Sequence, residues 1–153
     1  MTRHHHYPLF VYGSLMNARS RESTLGHSVR ARRATLDAAA QYHLRWCFRS
    51  HRLSMTSLGI YQDAQCHAVP VPGMVLWVTA ADLRKLDERE EGYTRVTLAR
   101  QHVILEDVLG AWPPGNEDQG VLTYAVDAPA KPCPEFPITA RYLSLCAERV
   151  ESD

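Results

Sequence analysis

Runs of apolar residues along the chain predict several β-strands. Residues 8–12 (PLFVY) and 74–78 (MVLWV) are apolar throughout, a pattern typical of strands that are covered on both faces. Residues 42–48 alternate apolar and polar side chains, which predicts a strand with one exposed face. We therefore expect two buried strands, one near the start and one in the middle of the chain, with a half-buried strand between them.

The second half of the chain predicts a hairpin. Apolar positions alternate through residues 93–106, and residues 121–126 form another apolar segment. The proline- and glycine-rich residues 112–116 have the composition of a loop, so we expect the two segments to pair across it. Residues 49–68, in contrast, are polar and show no sustained period, and we expect an irregular excursion there.

Helical spacing and capping signals predict three helices. Residues 17–25 form a polar segment that precedes Gly26, a residue suited to a helix C-terminus. Thr79 and Asp82 have the spacing of a capping box, so a second helix should begin there and end before Gly92. A closing helix follows Pro137, and its positions at helical spacing are Ile138, Tyr142, Leu145 and Arg149.

Together these elements predict an α+β fold. The strands outnumber the helices, the longest strand pair is antiparallel, and the helices do not alternate regularly with the strands. We expect a small mixed, mostly antiparallel β-barrel or curved sheet with a few helices packed outside. The length of 153 residues suits one domain, which we place at residues 8–150 after a flexible N-terminus at residues 1–7.

Charge and composition narrow the possible functions. Lys plus Arg and Asp plus Glu number 17 each, so the formal net charge is zero and no long-range field favours nucleic acid. The sequence has no apolar run of membrane-spanning length and no signal-peptide pattern at its start. We therefore expect a cytoplasmic protein that binds neither nucleic acid nor a membrane, with its four cysteines reduced. Nothing in the sequence indicates an oligomeric state.

The second predicted helix carries an acid on its apolar stripe. Leu83, Leu86 and Glu90 stand at i, i+3 and i+7, so Glu90 lies about 20° from Leu83 around the helix axis. The neighbouring Glu91 is turned about 80° away, toward water. Burial and the negative end of the helix dipole would both raise the pKa of Glu90, as proton transfer near neutral pH requires. The ordinary alternative is an exposed carboxylate paired with a nearby arginine.

The turn after the first strand is a second candidate for a functional role. Gly13 permits a positive φ or the close approach of a ligand, and Ser14 adds a hydroxyl group. Successive backbone N–H groups in such a turn can form an anion site. A plain tight turn has the same sequence pattern, so the turn alone does not decide the function.

Two motifs and their spacing indicate a family. Tyr12-Gly13-Ser14-Leu15 is followed, about 75 residues later, by Leu86-Asp87-x-Arg89-Glu90-x-Gly92-Tyr93-x-Arg95. In this order the motifs resemble the γ-glutamylcyclotransferase-like (AIG2-like) family. Residues 71–76 (VPGMVL) and 137–143 (PITARYL) resemble the strand before the family's acidic helix and its closing helix. Many relatives have Glu-Gly directly after L-D-x-x, whereas in this chain Glu91 intervenes between Glu90 and Gly92. The motif register and the apolar stripe both select Glu90.

The resemblance implies an enzyme that uses no cofactor and no metal. In this family the α-amine of the substrate attacks its own γ-glutamyl amide and releases 5-oxoproline and a free amine. The resemblance assigns Glu90 as the general acid/base. It assigns binding of the γ-glutamyl portion to the turn residues Tyr12, Gly13, Ser14 and Leu15. The partner would then be a small γ-glutamyl compound, and nothing in the sequence identifies its leaving amine.

Two tyrosines are further candidates for substrate binding. Tyr93 and Tyr124 carry phenol hydroxyls that could order the substrate. Both lie in predicted strands, where packing in the core is the commoner role of a tyrosine.

Two other functional classes stay open at this point. A catalytically silent module of the same fold could hold a small amino-acid-like ligand in the turn pocket. A zinc site could use Cys47, His51, Cys66 and His67, although the adjacent Cys66 and His67 are poorly spaced for one tetrahedral centre.

Overall fold

The structure is a computed structural model that describes residues 5–106, 112 and 119–151. Residues 1–4 of the predicted flexible N-terminus and most of the predicted loop 112–116 lie outside these ranges. The elements are β1 (Tyr7–Val11), α1 (Ala18–Leu25), β2 (Ala31–Leu36), β3 (Tyr42–Ser50), β4 (Met55–Gln62), β5 (Val71–Val78), α2 (Ala80–Arg89), β6 (Thr94–Leu98), β7 (Val103–Leu105), β8 (Val121–Ala125) and α3 (Ala140–Glu151). Single 3₁₀ turns lie at Gly13–Met16, Ala38–Ala40 and Arg100–His102.

Six of these strands form one curled sheet in the order β6-β8-β1-β5-β2-β7, and β3 and β4 form a separate two-stranded sheet. The pair β1–β8 is parallel, whereas the other pairs are antiparallel. The sheet is a half-barrel with three helices, which confirms the predicted α+β class and mostly antiparallel pairing. No helix in the described part of the chain is long and apolar enough to span a membrane.

Strand β1 is buried on both of its faces. Phe10 points to a core that the β3–β4 hairpin covers, where it packs in one cluster with Leu58 and Ile60. Leu9 and Val11 point to the opposite face, where α1 and α2 pack. Because successive side chains of a strand alternate between faces, the continuously apolar residues 8–12 serve two cores. This arrangement is the one that the apolar run predicts.

The prediction of an irregular excursion over residues 49–68 is wrong. Strand β4 pairs with β3 along its whole length, and its residues from Met55 to Ile60 are all buried. Two of these residues are polar, but their hydroxyls have partners: Thr56 donates to the Phe136 carbonyl at 2.6 Å, and Ser57 lies 2.9 Å from the Tyr93 hydroxyl. Polar residues can be buried at low cost when they are hydrogen-bonded. Because these two interrupt the run of apolar residues, the sequence pattern does not indicate a buried strand here.

The predicted long hairpin exists only in part. Strands β6 and β8 pair antiparallel, with Thr94 opposite Ala125 and Leu98 opposite Val121. After β6, the 3₁₀ turn at Arg100–His102 redirects the chain, and β7 pairs with β2 at the other edge of the sheet. The alternating pattern of residues 93–106 therefore belongs to two separate strands rather than to one.

The capping signals correctly predict the end of α1 and the start of α2. The Asn17 side chain accepts a hydrogen bond from the Ser20 N–H at the start of α1, and Gly26 ends that helix with a φ of 83°. At α2, the Thr79 side chain accepts from the Asp82 N–H at 3.2 Å, and the Asp82 carboxylate accepts from the Thr79 N–H at 3.0 Å. This reciprocal cap fixes the start of the helix whose far end is Glu90.

Replacement of the cap tests how firmly α2 is held. We expect Thr79→Ala to lower the free energy of unfolding by about 1 kcal/mol, because it removes one half of the capping box. Chemical denaturation of the two proteins measures this difference. Ser144→Ala removes an exposed hydroxyl from α3 and should change stability much less. Equal effects of the two substitutions would show that the cap does not stabilise α2.

Candidate active site

A small inner pocket of about 20 Å³ lies at the end of β1 and shares several lining residues with an outer cleft of about 470 Å³. The inner pocket is lined by Phe10, Val11, Tyr12, Ser14, Leu15, Leu58, Glu90, Tyr93, Tyr124 and Tyr142. The outer cleft is lined by Ser14, Phe48, Ser50, Arg52, Leu53, Met55, Ser57, Arg89, Glu90, Glu91, Tyr93, Thr139, Arg141, Tyr142 and Leu145. A wider cleft of about 730 Å³ beside Trp112 contains none of the motif residues.

The 3₁₀ turn Gly13–Met16 forms one wall of the inner pocket. Gly13 has a φ of +64°, a conformation that favours glycine, and a Cβ atom there would lie 2.9 Å from the Tyr142 hydroxyl oxygen. Glycine is therefore needed both for the backbone conformation and for the close approach of α3. The first N–H groups of a 3₁₀ turn have no acceptor within the turn itself, so they are suited to bind a ligand oxygen.

Glu90 lies at the C-terminal cap of α2 and reaches both the inner pocket and the outer cleft. Its side chain is only 14% exposed. Burial raises the pKa of the Glu90 carboxyl, and the nearby charges of Arg89 and Arg52 oppose that shift without cancelling it. Glu91 is exposed, so the two neighbouring acids differ in the way that the helical stripe predicts.

Arg89 connects the acid to the 3₁₀ turn. Its guanidinium donates to the Ser14 hydroxyl at 3.1 Å, to the Ser20 hydroxyl at 2.9 Å and to the Thr24 hydroxyl at 2.9 Å. The Nε atom of Arg89 also lies 3.5 Å from a Glu90 carboxylate oxygen. One side chain thus fixes the end of α2 against α1 and against the turn.

Asp87 and two tyrosines form a second connection. The Tyr124 hydroxyl donates to Asp87 at 2.7 Å, and Arg95 donates to both oxygens of the same carboxylate at 3.0 and 2.9 Å. The Tyr12 hydroxyl donates to the Tyr124 carbonyl oxygen. The Tyr124 ring is therefore held beside the pocket through both its backbone and its hydroxyl.

Tyr93 is fixed by strand β4. Its hydroxyl donates to the Leu58 carbonyl at 2.7 Å and can accept from the Ser57 hydroxyl at 2.9 Å. Its ring stacks on Phe48 with the ring centroids 3.8 Å apart. The hairpin that was not expected from the sequence thus positions one of the predicted tyrosines.

The tyrosines around Glu90 remain protonated at neutral pH. Burial, followed by smaller effects of neighbouring acidic groups, raises the pKa of the Tyr12, Tyr93, Tyr124 and Tyr142 hydroxyls. The charge of Glu90 contributes to each of these shifts, so all four phenols lie within its electrostatic influence. A carboxylate with a raised pKa, surrounded by neutral hydroxyl groups, is suited to accept and return a proton.

The structure thus brings the predicted site residues to one pocket, with Gly13 in the turn behind it. Sequence reasoning missed Ser57, Leu58 and Tyr142, which come from β4 and α3, and it assigned no structural role to Arg89. Tyr142 stood on the predicted closing helix, but nothing in that pattern places its hydroxyl beside Ser14 and the Leu58 backbone. The Leu86–Arg95 motif contains the only signal that could have identified Arg89.

The alternative zinc ligands lie in different surroundings. Cys47 is buried in β3, where burial raises the pKa of its thiol to about 11, whereas Cys66 is exposed. The His51 ring packs edge-on against Phe136. Over residues 5–106, 112 and 119–151, no three His, Cys, Asp or Glu side chains group in a way that could hold a metal ion.

Solved structures of other proteins share this fold. A γ-glutamyl cyclotransferase superposes with a TM-score of 0.66 at 16% identity, covering 96% of this chain and 79% of that one. A glutathione-specific γ-glutamyl cyclotransferase from yeast gives 0.63 at 13% identity, covering 97% and 88%. A protein from Arabidopsis thaliana gives 0.56 at 24% identity, covering 96% and 87%. At these identities the likeness shows the fold alone.

Sequence comparison identifies the family. None of the curated proteins matches this sequence. The family model described as gamma-glutamyl cyclotransferase, AIG2-like, matches residues 9–128, a range that contains the 3₁₀ turn, Arg89 and Glu90. Because that match extends over more than half of the sequence, the chain belongs to the AIG2-like γ-glutamyl cyclotransferase family.

Proposed function

We propose that this protein is a γ-glutamyl cyclotransferase that converts a small γ-glutamyl amide into 5-oxoproline and a free amine. The observation that carries the proposal is Glu90, a nearly buried carboxylate with a raised pKa between the inner pocket and the outer cleft. The family match and the fold support the same reaction class. A cytoplasmic location and a small-molecule partner belong to this proposal.

In the first step, Glu90 takes a proton from the substrate's α-ammonium group. The neutral nitrogen then attacks the γ-carbonyl carbon and closes a five-membered ring. Burial makes the Glu90 carboxylate a stronger base than an exposed glutamate, which favours this transfer. Because the attack is intramolecular, holding the substrate in a folded-back conformation accounts for much of the rate enhancement.

In the second step, protonated Glu90 gives its proton to the leaving nitrogen as the amide C–N bond breaks. The ring nitrogen still carries two hydrogens after the attack, and it loses one of them through Glu90 to the released amine, so that 5-oxoproline keeps a single N–H. One carboxyl group thus serves as base and then as acid, and no water is consumed. Negative charge that develops on the carbonyl oxygen can be stabilised by backbone N–H groups of the 3₁₀ turn.

The surrounding residues hold the substrate. Tyr12, Gly13, Ser14 and Leu15 bind the γ-glutamyl portion along the turn, and the Arg89 hydrogen bonds keep that turn in place. The hydroxyls of Tyr93 and Tyr124 donate their hydrogens to protein acceptors. A phenol oxygen has two lone pairs, so each of these oxygens can still accept a hydrogen bond from a substrate. We assign these two tyrosines the role of orienting the α-ammonium group.

A silent binding module of the same fold is the second candidate. It would bind a γ-glutamyl compound in the same pocket, and binding would survive Glu90→Gln. Incubation of the protein with a panel of γ-glutamyl amino acids, amines and peptides, followed by measurement of 5-oxoproline, separates the two candidates. Formation of 5-oxoproline from at least one compound is the outcome that supports an enzyme.

The pair of adjacent acids offers a matched test of the catalytic role. We expect Glu90→Gln to reduce kcat by at least about 10²-fold, because the amide side chain cannot accept or return the proton. Glu91→Gln should retain most of the activity, because Glu91 is exposed. Steady-state assays of 5-oxoproline release measure both rates. Similar losses in the two variants would contradict the assignment of Glu90.

A stability measurement tests the burial of Glu90 independently of turnover. The pKa of Glu90 is raised in the folded protein, so the folded state binds more protons than the unfolded state above pH 4.5, its ordinary value. Wild-type stability should therefore fall relative to Glu90→Gln as the pH rises from that value through the folded pKa. Denaturation at several pH values measures the difference. A parallel course for wild type and Glu90→Gln would refute the raised pKa.

A further inference from the structure

The outer cleft carries two arginines on its exposed rim. Arg52 lies in the turn between β3 and β4, and Arg141 lies in the first turn of α3. Both are exposed and both line the cleft. Within the described residues, neither forms a hydrogen bond or an ion pair with another side chain. Their charges are therefore available to a ligand.

The other charges of the cleft leave it with a positive rim. Arg89 is fully engaged with Ser14, Ser20 and Thr24, so it contributes to the turn rather than to the open cleft. Glu91 is exposed and is the acid that faces these arginines, since Glu90 is mostly buried. The exposed rim of the cleft therefore has two positive charges, from Arg52 and Arg141, and one negative charge, from Glu91.

The position of Arg141 is unusual for a helix. The N-terminus of a helix carries the positive end of its dipole, which disfavours a cation in the first turn. The first turn of α3 contains Arg141 and no acid. The positive end of the α3 dipole and the positively charged guanidinium of Arg141 therefore lie together at this rim. A bound anion would reduce the repulsion between them.

The rim also lies next to the catalytic acid. Arg52 is near enough to Glu90 for its charge to act on that carboxyl group. In an amino acid, the carboxylate is separated from the amine nitrogen by one carbon. A leaving nitrogen placed beside Glu90 would thus bring such a carboxylate to the rim, and guanidinium groups bind carboxylates through paired hydrogen bonds.

From this arrangement we propose that the outer cleft selects γ-glutamyl compounds whose leaving amine carries a carboxylate, namely γ-glutamyl amino acids and peptides, over γ-glutamylamines. The inference rests on the proposed function, because the leaving amine is defined by that reaction. Arg52 and Arg141 are its specificity-determining residues. The apolar Leu53 and Phe48, which also line the cleft, would contact the carbon chain of the leaving group.

A matched pair of substrates tests the proposal. γ-Glutamylalanine and γ-glutamylethylamide differ only in the carboxylate of the leaving amine. Wild type should favour γ-glutamylalanine by about tenfold in kcat/KM, the effect expected of two exposed charge pairs. The double variant Arg52→Gln/Arg141→Gln should handle both compounds about equally. Each protein is judged by the ratio of its kcat/KM values for the two substrates. A general effect of the substitutions on folding or on Glu90 changes both values equally and cancels in that ratio.

Two controls sharpen the comparison. Arg84→Gln removes an exposed arginine of α2 that does not line the cleft, and it should leave the substrate ratio unchanged. High salt should reduce the wild-type preference, because it screens exposed charges. A ratio that responds to Arg84→Gln as strongly as to the double variant would show a nonspecific charge effect and overturn the proposal.

The outcomes separate the inference from the proposed function. Equal turnover of the two substrates by wild type, or a preference that survives in the double variant, overturns the inference and leaves the enzyme assignment standing. If no 5-oxoproline forms from either compound, the wider panel of γ-glutamyl compounds decides the enzyme assignment, and calorimetric binding of the same two compounds tests the positive rim. Tighter binding of γ-glutamylalanine that is lost in the double variant supports the positive rim, and equal or absent binding refutes it.

Discussion

The burial of β1 on both faces is the constraint on which the rest of the structure depends. A strand that serves two cores must be covered from two sides, so the β3–β4 hairpin closes over one face while α1 and α2 pack on the other. The site forms where this strand ends, because the 3₁₀ turn that begins at Gly13 follows β1 directly and lines the inner pocket. The geometry of the candidate site is thus a consequence of how one strand is packed.

The electrostatics of the site follow from the same packing. Burial at the end of α2 disfavours the charged form of Glu90, and the helix dipole acts in the same direction. The charge of Arg89 offsets this cost only in part, since burial has the larger effect on the pKa of Glu90. Hydrogen bonds to Ser14, Ser20 and Thr24 hold Arg89 in place beside the carboxylate. The fold therefore keeps an acid in a strained electrostatic state, which is typical of functional rather than structural carboxylates.

Local signals in the sequence predicted the parts of the site that depend on neighbouring residues. The Thr79 cap set the register of α2, and that register placed Glu90 on the apolar stripe. Contacts between distant segments were not predictable in this way. Strand β2 escaped notice because Arg32 and Arg33 interrupt its apolar pattern, and β4 was hidden by its buried polar residues. Tyr142 reaches the pocket only because the whole topology brings α3 there.

The contact between Gly13 and Tyr142 has a consequence for the boundary of the functional unit. The family match ends at residue 128, yet the Tyr142 hydroxyl occupies the space that a side chain at position 13 would fill. Glu90 and the turn therefore lie within the matched stretch of the chain, whereas the helix that closes the pocket over them lies beyond it. A substitution in that helix can therefore reshape the pocket from outside the segment that identifies the family.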